Sequence, residues 1–148
     1  MEDSDIMNIV VPVHDARDAD WLVEQTIGLY RRMRVRVHLL NVQASLPKHV
    51  SRFFSNAQLS AFHQENGMRI LDAVMRKLDA AGVPYKAHVR VGLQAETIVR
   101  FAEEYDCRRI VMEERAESWI SAFGLGSINS QVQHLTRTHG IGVSLGGA

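Results

Sequence analysis

The residues whose types and spacing best suit chemistry are Gly124-Leu125-Gly126-Ser127, which open an amphipathic segment with apolar positions at Ile128, Val132 and Leu135. The first N–H groups of a helix have no partner within it and lie at the positive end of its dipole, so such a start seats an anion. Ser127 adds a hydroxyl, although serine is equally a plain helix N-cap. With the apolar run Ile110 to Met112 ahead of it, the stretch has the strand, connector, glycine turn and helix of a phosphate loop. Other groups offer less. The histidines at 14, 38, 49, 63, 88, 134 and 139 fall on different segments without metal-ligand spacing, and read as surface or internally satisfied side chains. Ser118, Ser121 and Ser127 lack a nucleophile-elbow context, and Cys107, just before a buried strand, reads as a structural thiol. No catalytic set and no metal site is predicted. Trp119 and Phe123 are large apolar residues in a connector expected to be polar; they cover a cleft, meet a partner, or pack on the last helix.

The elements that position these residues alternate. Met7 to Val13 is an almost unbroken Ile/Val run, a strand buried on both faces. Ala16 to Arg34 carries Leu22, Thr26, Leu29 and Met33 at helical spacing, with acidic residues at its start and arginines at its end. Val35 to Val42 reads as a second strand, Gln43 to Asn56 as a connection with a helical turn near Val50 to Phe54, and Ala57 to Ala81 as a long helix. That helix's face is Leu59, Phe62, Leu71, Val74, Met75 and Leu78, and Gly82 with Pro84 stops it. Tyr85, Ala87, Val89 and Val91 alternate with Lys86, His88 and Arg90, which suits an edge strand with one packed and one wetter face. Gln94 to Asp106 supplies a helix through Ile98, Phe101, Ala102 and Tyr105. Arg108 to Met112, the loop, the last helix and a short strand of Ile141, Val143 and Leu145 complete the chain. Strand-helix alternation requires crossovers, hence a doubly wound α/β layer of five parallel strands with helices on both faces.

Length and charge bound the function. The 148 residues make one domain, 1–148, without repeat or linker. Seventeen acidic residues balance seventeen basic ones, so neither a nucleic acid nor a membrane surface is an expected partner unless a local patch provides one. The single cysteine excludes an internal disulfide and fits a reducing compartment, and Met-Glu-Asp-Ser-Asp lacks the features of a signal peptide. A cytoplasmic protein is expected.

Asn8-Ile9-Val10-Val11-Pro12-Val13 at the start, Val91-Gly92-x-x-Ala95-Glu96-x-Ile98 in the middle, and Arg109-Ile110-Val111-Met112 ahead of Leu125-Gly126-Ser127-Ile128 together resemble the universal stress protein family over essentially the whole chain. The resemblance implies an adenine nucleotide alpha hydrolase-like fold with strand order 3-2-1-4-5, and a ligand crevice at the switch point between strands 1 and 4. It also implies a homodimer through the last strand, with Ile141, Val143 and Leu145 as its apolar contribution. Nucleotide-binding members carry Gly-x-x-Gly, nine residues, then Gly-Ser or Gly-Thr. Here that register falls on Glu113, Ala116, Gly126 and Ser127, so the second half matches and the first does not.

Those departures set the functional expectation. Glycine bends to positive φ and lets a polyphosphate approach without meeting Cβ; Glu113 and Ala116 lose both properties, and Glu113 brings charge of the wrong sign. At the end of strand 1, where nucleotide-binding relatives usually carry Asp, this chain has His14, which can still exchange a hydrogen bond. The expectation is a stress-response or interaction module, not an enzyme, that needs no cofactor and meets an unidentified protein partner. The alternative is a nucleotide-dependent switch holding ATP or AMP weakly through Pro12, Val13, His14, Val42, Met112, Arg115, Gly126 and Ser127, with slow hydrolysis. Receiver-like and flavodoxin-like folds are disfavoured. The first lacks its Asp after strand 3 and its late Lys, and the second its Ser/Thr-rich loop after strand 1.

Overall fold

The structure, a computed structural model, describes residues 5–113, 132 and 141–146, with backbone alone for 113 and 143–146. Strand β1 (Met7–Pro12) leads through a 3-10 turn (Ala16–Asp18) into helix α1 (Ala19–Arg32) and strand β2 (Val35–Gln43). A short helix α2 (Lys48–Ser51) precedes the long helix α3 (Asn56–Ala80) and strand β3 (Tyr85–Val91). Helix α4 (Gln94–Glu104), strand β4 (Cys107–Glu113) and strand β5 (Gly142–Gly146) follow.

The strands are parallel in the order β3-β2-β1-β4-β5. The four from β3 to β4 carry the described core, while β5 is seen through its backbone pairing alone, from Arg109↔Gly142 to Glu113↔Gly146. Period-two alternation divides the β-strand side chains between two layers. Ile9, Val11, Val37, Leu39 and Val111 face α1 and α3; Val10, Leu40, Val42, Ile110 and Met112 face α4. Helices therefore cover both faces, the arrangement expected of crossover connections. Val132, at the centre of the predicted last helix, is helical and fully buried on the α4 side.

Helix boundaries follow local chemistry. Ser55 and Gln58 form a reciprocal capping box at the start of α3, and Gly82 at φ +73° ends it as predicted. Several expectations need correction. Met33 is not on the α1 face: it is the extended C-cap and 43% exposed. The helical turn between β2 and α3 begins at Lys48, ahead of Val50. The buried side of α3 runs through His63, Gly67, Leu71, Val74 and Leu78, while Phe62 is 46% exposed. Gly67 is what makes that side fit, because a Cβ there would lie 2.5 Å from Val89 Cγ2. The edge position of β3 is as expected, but Val91 is exposed, and His88 and Arg90 lie under α4 against Phe101 and Tyr105. Ile141 precedes β5 and packs, partly buried, against the α4-side core.

Candidate functional site

At the carboxyl ends of the strands, β1 stops before its neighbours do. The last β1–β2 partners are Pro12 and Leu40, and the Val13 N–H donates to the Leu40 carbonyl at 2.8 Å. Strand β2 runs on to Gln43, still paired with β3 through Gln43↔Val91. Alternation along β2 turns the polar backbone of Val42, like that of Leu40, toward the side that β1 has left. Beyond Val13 the chain departs at His14, and Asp15 turns it into α1 by accepting from the Arg17 backbone N–H at 2.9 Å. The Asp15 carboxylate also accepts from Arg17 Nε at 3.0 Å, and these bonds hold its pKa below the usual value.

Of the predicted nucleotide residues, Pro12, Val13, His14, Val42 and Met112 are gathered at the carboxyl ends of β1, β2 and β4. Val13, Val42 and Met112 are core side chains, so only their backbones can meet a ligand. His14 is half-buried, and desolvation lowers its pKa despite the nearby carboxylates of Asp15 and Asp18. Arg115, Ala116, Gly126 and Ser127 lie outside the described residues, as do Trp119 and Phe123 and the side chains of Glu113, Val143 and Leu145.

The carboxyl ends of β1 and β2 are bonded by amides that sequence reasoning passed over. Asn41, buried in β2, donates from Nδ2 to the Val13 carbonyl at 2.8 Å and accepts from Gln43 Nε2 at 2.6 Å. Gln43 Oε1 in turn lies 3.4 Å from Nδ1 of the buried His63. From the first turn of α4, Gln94 Nε2 donates to the Val42 carbonyl at 2.8 Å. Both carbonyls at the open ends of β1 and β2 are therefore bonded by this chain's own carboxamides. The sequence held one signal, a polar residue inside Leu39-Leu40-Asn41-Val42, since buried polar groups must find partners.

Two of the histidines are satisfied internally, by each other, within the readings expected of them. His38 and His88, fifty positions apart, meet with Nδ1 and Nε2 3.0 Å apart, in tilted and edge-on contact with Phe101 and Tyr105. Burial, then the positive neighbours His88, Lys86 and Arg36, push the His38 pKa down to about 4. Arg90 spans Phe101 and Tyr105 and pairs with Glu104 at 3.8 Å, closing the cluster. Among the described residues no three His, Cys, Asp or Glu side chains converge on a metal position. Cys107 is buried, and desolvation raises its thiol pKa to about 12, as a structural role requires. No helix of the described residues is long and apolar enough to cross a membrane.

Parallel strands in this order, with helices on both faces, define a doubly wound α/β protein. The chain matches the universal stress protein family over residues 6–138, and it belongs to that family. Solved structures agree at the level of fold. The hypothetical protein MJ0577 superposes with a TM-score of 0.72 at 21% identity, covering 94% of each chain. The universal stress protein UspA from Lactobacillus plantarum gives 0.67 at 20% identity, over 94% of this chain and 96% of that one. A family member from Arabidopsis thaliana, solved with AMP bound, gives 0.61 at 17% identity, over 95% and 90%. Among curated proteins no sequence matches.

Proposed function

We propose that this universal stress protein is a stress-response or interaction module that does not hold ATP tightly. The observation that carries the reading is the pair Glu113 and Ala116, at positions where nucleotide-binding members carry glycine. Glu113 is the last residue of β4 and so stands at its carboxyl end. At roughly 5 Å and an effective dielectric near 20, a carboxylate facing one phosphate charge costs about 3 kcal/mol, or a factor of roughly a hundred in affinity.

The module works in the cytoplasm as a homodimer joined along β5, for which Val143 and Leu145 supply the apolar contacts. Strand β5 lies at the end of the sheet order, and an edge strand needs covering. The second reading, a weak AMP or ATP switch, is favoured by the AMP-bound Arabidopsis relative. The two are separated by replacing Glu113→Gly with Ala116→Gly and titrating AMP and ATP. A gain of about a hundredfold in ATP affinity is expected; an unchanged affinity means that these two residues are not the obstacle.

A further inference from the structure

We propose that the amino end of the sheet carries a site of its own, in which Arg31, Arg32 and Arg34 take a soluble phosphate monoester with an apolar body. The strands separate it from the carboxyl-end position discussed above, so it stands or falls apart from nucleotide binding there. An open hollow of about 450 Å³ lies at this end, with the three arginines on its wall. The rest of its lining is apolar or aromatic: Ile6, Tyr30, Met33 and Val35. The turn from α1 into β2 builds it. Helix α1 ends at Arg32, and Met33 leaves it extended at φ −149° while its N–H still donates to the Leu29 carbonyl at 2.9 Å. The Met7 N–H donates to the Arg34 carbonyl at 2.9 Å, which ties the entry of β2 to β1. Anchored backbone thus holds three guanidinium groups around one hollow.

The charge of this cluster is not neutralised by the chain around it. Arg17, Arg69, Arg76 and Arg90 each pair with a carboxylate. Among the described residues Arg31, Arg32 and Arg34 pair with none, and Asp5, the acid next to Ile6, pairs with none of them. The helix dipole accounts for Arg31 and Arg32 in the last turn of α1, but not for Arg34, which stands past the helix end. Like charges this close in sequence repel one another, and an anion between them relieves the repulsion. Guanidinium forks match phosphate oxygens two at a time, and the dianion of a monoester offers enough oxygens for more than one fork. Tyr30 and Met33 are exposed beside them, an apolar surface that an aryl or alkyl group would cover. A hollow of this volume is of small-molecule size.

The test is an amide NMR titration of the full chain with 1-naphthyl phosphate, and with 1-naphthol and inorganic phosphate as its two halves, alongside thermal melts. The ester is expected to bind about tenfold or more tightly than either half, to move the amide signals of Ile6 and of Arg31 to Val35 most, and to weaken as salt is added. Its affinity should fall about tenfold in Arg34→Gln, and likewise in Arg31→Gln combined with Arg32→Gln. If one variant unfolds, the other decides. An affinity indifferent to the arginine substitutions overturns the proposal, as does equal binding of 1-naphthol, which would mean an apolar hollow alone. Signals that move only at the carboxyl ends of the strands, or no binding at millimolar ester, overturn it too. Sedimentation with phosphatidate vesicles while the free ester fails to bind would point to a membrane surface and overturn the soluble ligand.

Discussion

His38 and His88 form a hydrogen-bonded pair in which one ring donates and the other accepts, so the native geometry holds at most one shared proton. Facing charges come from Arg36 on β2, from Lys86 and Arg90 on β3, and from Glu104 on α4, and all but the last oppose protonation. Both pKa values are lowered on folding, so the unfolded state binds more protons below the ordinary histidine value of 6.5. The pair's contribution is therefore complete above about pH 6.5 and is lost as pH falls toward about 4. For His38 it is on the order of 3 kcal/mol. Urea unfolding at pH 7.5 and pH 4.5 should show a smaller acid loss in His38→Phe than in the unaltered protein; equal losses would mean that the pair does not titrate as its burial requires. Nothing local in the sequence announces this pair, because fifty residues separate its members and only the β2–β3 register brings them together. Asn41 was legible in principle as a polar residue in an apolar strand, but its partner Val13 depends on where β1 ends.

At the scale of elements, the strands were legible because Ile/Val runs and crossover spacing leave few alternatives. The packed side of α3 was not, because its period passes through His63 and Gly67, residues that do not look apolar, while the more conspicuous Phe62 points away. Gly67 gives this element its prediction. Alanine is normally the better helix residue by about 1 kcal/mol. Here its Cβ would press on Val89 at 2.5 Å, so Gly67→Ala should destabilise by about 1 to 3 kcal/mol in urea unfolding. Adding Val89→Ala should recover part of that loss, as expected for residues in contact. A stabilised Gly67→Ala protein would show that α3 and β3 are less closely packed than described. The helix start is secured separately: removing the Ser55 side chain of the capping box should cost about 1 kcal/mol.

For the whole molecule, charge balance and strand-helix alternation bounded the class, and the family followed from motifs spread along the chain. The proposed assembly uses the sheet edge. Native mass spectrometry should report a dimer for the unaltered chain and a shift toward monomer for Val143→Lys combined with Leu145→Lys; a protein that is monomeric from the outset contradicts pairing through β5. In the proposed reading, the phosphate end of the family's site has exchanged two glycines for Glu113 and Ala116. Proteins that share a fold differ in what their sites accept, and the proposal is that Glu113 and Ala116 disfavour a nucleotide here. Calorimetric titration of the unaltered protein with ATP, with and without magnesium, addresses that statement most directly. The account predicts a dissociation constant weaker than about 100 μM in both conditions, the result of losing about a hundredfold from a micromolar site; low-micromolar binding in either would contradict it.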